Sequence, residues 1–361
     1  MNRRHFFQSA LAAGVAATTA AREGLASSLQ AERQGGTTTL FTPLKIRGVT
    51  LRNRIAMSPM CQYSSEDGFA TDWHLAHHAA RAVGGAGLLI AVVPEGRITP
   101  NCLGVWKDEH APALRRMTDF VTKYGAVPGI QLAHAGVKGS RHRPLHPKRN
   151  RYVPLDEGGW TPVGPTGKRY RPDGSAPREL KVAEIREITG AFAAAAKRSV
   201  PAGFRVIELH FAHGYLGHSF LSPLMNERTD DYGGSFDNRM RFMMETVRAV
   251  RAILPEDIPL FVRLSCTDWV EGGWTLDDSV KASRQLKAEG VDLIDCSTVG
   301  RITEPAQVEA IIAEGRADLV LMGRQLLREP HWPLRAWVEL GSETPAPIAP
   351  EYAWALSETR R

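Results

Sequence analysis

The chain has 361 residues, 43% of them hydrophobic and 23% charged. That length allows one large domain or two ordinary ones, and the composition supports a sizeable buried core and looks like an ordinary soluble protein. Its 45 Lys and Arg against 39 Asp and Glu leave a net charge of +6. Much of that excess lies at the N-terminus and in residues 138–151, which is too localised for one nucleic-acid-binding face.

In chain order, Arg3-Arg4 is followed by Phe6, Phe7 and an Ala-rich stretch through Ala21. This pattern resembles a twin-arginine export signal over residues 1–26. The stretch is too short and too broken to span a bilayer, so no stable membrane insertion is expected. The expected location is the periplasm, with the cytoplasm as the alternative. Residues 27–38 are small and polar and read as a linker. They precede a barrel domain over 39–340 and a tail over 341–361.

Short apolar runs predict strands at Asn53–Met60, Gly87–Val93, Val127–His134, Val206–His210, Leu260–Cys266, Val291–Ser297 and Ala317–Gly323. Helical patterns lie between them, as at Val182–Val200, Asn238–Leu254 and Ser279–Glu289. Strands that are apolar throughout suit a sheet buried on both faces, and repeated βα units suit a parallel barrel or a doubly wound sheet. No GxGxxG opens a helix after the first strand, which disfavours a Rossmann domain.

Polar residues gather just after strand C-termini: Cys61 and Tyr63, Gln131 and His134, His210 and His213, Arg263, and Gly323-Arg324. In a β/α barrel that end builds the active site. His210 and His213 are three apart and share one ligand only if the strand ends there and the chain turns, which Gly214 makes easy. A core histidine pair, or a metal site with Glu208, are the competing readings. His74, His77 and His78 have metal-capable helical spacing but no evident carboxylate partner, and read as structural. The basic run Lys138 to Arg151 reads as a solvated loop, with steering of an anionic phosphate ligand as the alternative. The four cysteines, Cys61, Cys102, Cys266 and Cys296, form no CxxC pair and have no zinc spacing. This argues against a disulfide framework, an iron–sulfur centre and structural zinc.

Several long segments carry a resemblance. They are Asn53-Arg-Ile-Ala-Met-Ser58-Pro59-Met60-Cys61-Gln-Tyr63, Gln131-Leu-Ala-His134-Ala-Gly136, Glu208-Leu-His210-Phe-Ala-His213-Gly-Tyr215, Leu221-Ser-Pro-Leu-Met-Asn-Glu-Arg228, Phe261-Val-Arg263 and Met322-Gly323-Arg324. In this order, over most of residues 40–335, they resemble the old yellow enzyme family and its thermophilic-like subgroup. The resemblance implies a TIM-type (β/α)8 barrel that binds FMN, takes electrons from NADPH or NADH, and reduces the C=C bond of α,β-unsaturated carbonyl compounds. It implies that Ser58, Pro59, Met60, Cys61, Gln131 and Arg263 contact the flavin and that Gly323 and Arg324 hold its phosphate. By the same resemblance His210 and His213 grip the substrate carbonyl oxygen, Tyr215 protonates Cα, and Tyr63 closes the pocket. A small-molecule partner and a homo-oligomer are expected, and no nucleic acid.

The chain also departs from the family pattern. Only 26 residues separate Asp292 from Asp318, whereas an average βα unit needs about 30 and the family needs two units there. The barrel is therefore expected to lack about one βα unit near strand 7. Either Thr298–Ile302 serves as a stunted seventh strand, or the chain is a degenerate, non-catalytic barrel with weak or lost flavin binding. A segment of strand 2 that touches flavin in the family is absent, Val137 stands where an arginine is usual, and the tail around Tyr352 and Trp354 lacks the arginine that relatives extend toward a neighbouring subunit.

Overall fold

The structure, a computed structural model, describes residues 38–171, 175–297 and 302–356. The expected export signal, nearly all of the linker, and residues 298–301 of the expected stunted strand lie outside the described residues.

A hairpin of β1 (Leu44–Ile46) and β2 (Val49–Leu51) opens the domain. Alternating units follow: β3 (Ile55–Met57), α1 (Asp72–Val83), β4 (Leu88–Gly96), α2 (Ala111–Lys123) and β5 (Val127–His134). A long excursion holds the short strands β6 (Val163–Gly164) and β7 (Arg178–Glu179) and leads into α3 (Val182–Ser199). Then come β8 (Val206–Phe211), α4 (Leu216–Leu221), α5 (Phe236–Ile253), β9 (Leu260–Ser265), α6 (Leu276–Ala288), β10 (Leu293–Ser297), α7 (Pro305–Ala313), β11 (Val320–Met322), α8 (Arg324–Arg328) and α9 (Trp332–Glu339).

Seven strands form one sheet in the order β10-β9-β8-β5-β4-β3-β11, with every neighbouring pair parallel. All seven expected strands are present. The first is shorter than expected, because Ser58 to Met60 leave the sheet once the Ser58 N–H has bonded Met322 O at 3.0 Å.

All six residues of β8 are buried, which explains its unbroken apolar look. Phe211 points outward, packing against Phe192 of α3 and Phe242 of α5 with ring centroids 6.3 and 5.8 Å away. Glu208 and His210 alternate to the inside, in register with Gln131 of β5 and Arg263 of β9. Val49 and Leu51 of the hairpin join Ala56, Leu88, Val206 and Phe261 in an apolar floor. That floor fills the N-terminal end of the barrel, so polar groups can collect only at the other end.

The sheet is a nearly closed barrel. Between β10 and β11 the described residues show no pairing. A cleft of about 540 Å³ separates the two edges there, lined by Leu293, Asp295, Ile302, Ile311, Leu319 and Leu321 among others. The expectation of about one missing βα unit near strand 7 thus matches a seven-stranded sheet with its break at that place. Among the described residues no helix is long and apolar enough to cross a membrane.

Candidate active site

At the C-terminal end of the strands a cavity of about 140 Å³ collects Pro59, Cys61, Tyr63, Gln131, His210, His213, Tyr215 and Arg263. Val92, Ile98, Ala133 and Ala135 supply its apolar wall. Eight residues read from the sequence as site candidates therefore share one space, contributed by β5, β8, β9 and the turns after β3 and β8.

The histidine pair meets by a sharp turn. Strand β8 runs through Phe211, and then His213 and Gly214 both take the left-handed conformation, with φ of 60° and 68°. Glycine adopts that geometry freely, whereas His213 is held in it. Its N–H donates to Ser265 Oγ at 2.8 Å, and Lys138 Nζ donates to its carbonyl at 2.5 Å. The turn swings the ring of His213 back over the strand end, 4.9 Å from that of His210 between centroids.

The protonation pattern follows from the partners. The backbone N–H of Ala212 donates to His210 Nδ1 at 3.1 Å, so that nitrogen carries no proton and Nε2 does. His210 Nε2 then donates to His213 Nδ1 at 3.0 Å, and His213 Nε2 donates to Ser297 Oγ at 2.5 Å. Burial holds His210 well below the ordinary imidazole range, with His213 and Arg263 adding repulsion. Burial and Arg263 bring His213 down to about 4. Both rings are neutral at physiological pH, and each presents one N–H in a chain that ends on Ser297.

Tyr215 sits edge-on to His210, 5.2 Å between ring centroids, with Lys138 Nζ 5.4 Å from its own ring. Burial pushes the phenol above its usual range, so it stays protonated. Tyr63, at φ 53°, lines the cavity beside Cys61, and burial raises both groups. The buried thiol is a neutral, polarisable wall, not a thiolate.

Below these groups lies a buried charged layer. Gln131 Nε2 donates to Glu208 Oε1 at 2.6 Å, while Glu208 Oε2 is buried without a partner. Arg263 Nε lies 3.2 Å from Asp295 Oδ2, a charge contact without hydrogen-bond alignment. Burial first, then repulsion from Asp295, raises Glu208 to about 8. Glu208 is therefore mostly protonated at neutral pH and is committed to Gln131. The metal alternative for Glu208 and the two histidines finds no support, since no metal-capable group of three ligands occurs among the described residues.

The remaining candidates sit beside the cavity. Ser58 is buried next to Gly323, where an added Cβ would lie 3.8 Å from Ser58 Cβ and 3.6 Å from Met60 Sδ. Met60 faces a smaller space with His74 and His78. Arg324 begins α8 and is exposed, outside the cavity. His74, His77 and His78 are buried and neutral, held down by burial. His74 also caps α1 through its Nδ1, which accepts the Thr71 N–H at 3.0 Å.

Sequence reasoning did not single out Asp295, Ser297 or Lys138. Asp295 had a signal, a lone acid inside an apolar strand, but its partner came from a neighbouring strand. The sequence places Lys138 in a solvated surface loop. The structure corrects this, because its ammonium reaches the His213 carbonyl and lies 4.0 Å from the Tyr170 ring centroid.

Comparison with known proteins agrees with this geometry. Residues 39–298 match the NADH:flavin oxidoreductase / NADH oxidase family. The chain belongs to this family. It is 41% identical over 355 aligned positions to an NADPH dehydrogenase of Geobacillus sp. (strain WCH70), covering 88% of this chain and 99% of the relative. An NADPH dehydrogenase of Bacillus subtilis (strain 168) is 39% identical over 353 positions, covering 87% and 99%. Both alignments contain more positions than the part of this chain they cover, so the relatives carry residues with no counterpart here. Among solved structures, a morphinone reductase superposes with a TM-score of 0.69 at 25% identity, covering 86% of this chain and 91% of that one.

The chain is thus an old-yellow-enzyme-type oxidoreductase whose cofactor is FMN and whose reductant is a nicotinamide nucleotide. The residues present fit a flavin. The cavity offers a neutral amide at Gln131, an orphaned buried acid behind it, a guanidinium at Arg263 and apolar walls, and Gly323 leaves room for a close approach of the backbone.

Proposed function

We propose that this flavoenzyme reduces the C=C bond of α,β-unsaturated carbonyl compounds. The observation that carries the reading is the neutral His210–His213 pair beside a protonated Tyr215 at the mouth of a cavity floored by Gln131 and Arg263.

When bound, FMN supplies the chemistry of accepting a hydride from the nicotinamide and passing it to the substrate. Ser58, Pro59, Met60 and Cys61 would line it, Gln131 would bond its polar edge, Arg263 would supply positive charge, and Gly323 with Arg324 would take its phosphate.

The two imidazoles offer N–H groups to a carbonyl oxygen, where they stabilise the negative charge that develops as Cβ is reduced. Neutral rings suit this task, because they donate without transferring the proton outright. In the free site their N–H groups satisfy each other and Ser297, so binding a carbonyl exchanges these bonds for bonds to the substrate. Tyr215, kept as the phenol, gives its proton to Cα and recovers one from solvent. Tyr63 and Cys61 close the side of the cavity.

The test is anaerobic spectroscopy of the purified protein. The flavin band bleaches with NADPH and returns when cyclohexenone is added. A band that bleaches but returns only with oxygen or a quinone would keep the oxidoreductase and remove the ene-reductase reading.

A further inference from the structure

Two of the four cysteines, 30 positions apart in sequence, meet on the outer face of the barrel. Asp295 turns inward to Arg263, so the alternation of β10 sends Cys296 outward. In the parallel register Cys296 lies opposite Leu264, two residues before Cys266. On a straight strand such a diagonal pair stands about 8 Å apart at Cα, too far for a disulfide. The chain bends at Cys266, just past the end of β9, and there the two cysteine side chains line the same groove.

The setting exposes them. Cys296 is exposed and Cys266 half-buried, and both line a groove of about 490 Å³ together with Val280, Ser283 and Leu293. Cys296 also belongs to the edge strand, which has no partner on its far side among the described residues. An edge strand gives way by the small shift that a sulfur–sulfur bond needs more easily than an inner strand. The neighbouring Cys296 thiol brings Cys266 down to about 7, while Cys266 and burial raise Cys296. One proton is thus readily lost and the other retained, the arrangement of an attacking and a resolving thiol.

We propose that Cys266 and Cys296 form a reversible intramolecular disulfide that fastens the free edge of the barrel to β9 when a peroxide is present. The Cys266 thiolate attacks one oxygen of hydrogen peroxide, so that an S–O bond forms, the O–O bond breaks, and hydroxide leaves to be protonated to water. The Cys296 sulfur then attacks the sulfenic sulfur. The S–S bond forms, the S–O bond breaks, and a second water leaves with the remaining proton. Two thiols lose two electrons in all, and one peroxide becomes two waters. A dithiol reductant reverses the change. Ser297, the next residue, holds His213, so the clamp acts one position from the site.

The experiment treats the purified, FMN-loaded full chain with a small excess of hydrogen peroxide. Titratable thiols under denaturing conditions should fall from four to two. A non-reducing peptide map should join the Cys266 and Cys296 peptides, dithiothreitol should restore both, and Tm should rise by on the order of 5 °C. In Cys296→Ser, Cys266 should persist as a sulfenic acid that dimedone traps. In Cys266→Ser, Cys296 should lose its peroxide reactivity at least tenfold. Thiol loss as separate sulfinic acids, a Cys61–Cys102 link, a link between two chains, or unchanged kinetics in Cys266→Ser would each overturn the proposal.

Discussion

The barrel has two unlike sides. The arc from β3 through β4, β5 and β8 to β9 is continuously paired, and it supplies the whole wall of the cavity. Among the described residues the pairing stops between β10 and β11, and a cleft lies there. Hydride and proton chemistry need groups fixed within fractions of an ångström, and the groups proposed for it sit on the paired arc. The residues expected to hold the flavin phosphate, Gly323 and Arg324, follow β11 at the edge of the break. The break therefore lies beside the residues proposed to grip the cofactor and away from those proposed to react.

The largest expected effect lies on the intact arc. His210→Ala should slow the oxidation of reduced flavin by cyclohexenone about 10²–10³-fold, with flavin reduction by NADPH much less affected, as stopped-flow absorbance would record. Equal losses in both half-reactions, with FMN retained, would remove the assigned role.

Glu208 tests the charged layer beneath that arc. An unfolded glutamate titrates near 4.5 and the folded one near 8. Between these values the folded chain holds a proton that the unfolded chain has lost, so this group's stabilisation is complete below pH 4.5 and is lost as pH rises through 8. Glu208→Gln should flatten the decline of Tm between pH 5 and 8, relieving the cost of ionising a buried acid at the alkaline end. Parallel Tm-against-pH curves for the two proteins would mean that Glu208 is ionised in the folded barrel.

The smallest expected effect sharpens the account of the broken side. An added Cβ at Gly323 meets only ordinary contacts, with Met60 Sδ at 3.6 Å and Ser58 Cβ at 3.8 Å. Gly323→Ala should fold normally yet weaken FMN about tenfold by equilibrium titration, with riboflavin affinity little changed. Equal weakening of FMN and riboflavin would move the phosphate away from Gly323.

Much of the site was legible before any fold was known. Unbroken apolar runs marked β5, β8 and β9 as strands covered on both faces, and polar residues at their C-terminal ends marked the active end. Long ordered motifs marked the family, and the short interval from Asp292 to Asp318 marked the missing unit. These are local patterns of period, composition and spacing, and a chain carries them in order.

The pairings were not legible, because they join positions far apart along the chain. Asp295 meets Arg263, and Ser297 meets His213, only because β10 lies beside β9 in one register. Lys138 leaves the surface only because its loop folds over the β8 turn. Cys266 and Cys296 showed no motif spacing, and the same register with a bend after β9 brought their thiols together. Sequence by itself determined which segments form strands, what chemistry their ends carry and that a unit is missing. Tertiary structure alone decided which of those groups touch, which protons they keep and where the barrel stays open, because burial, register and proximity are properties of the packed chain.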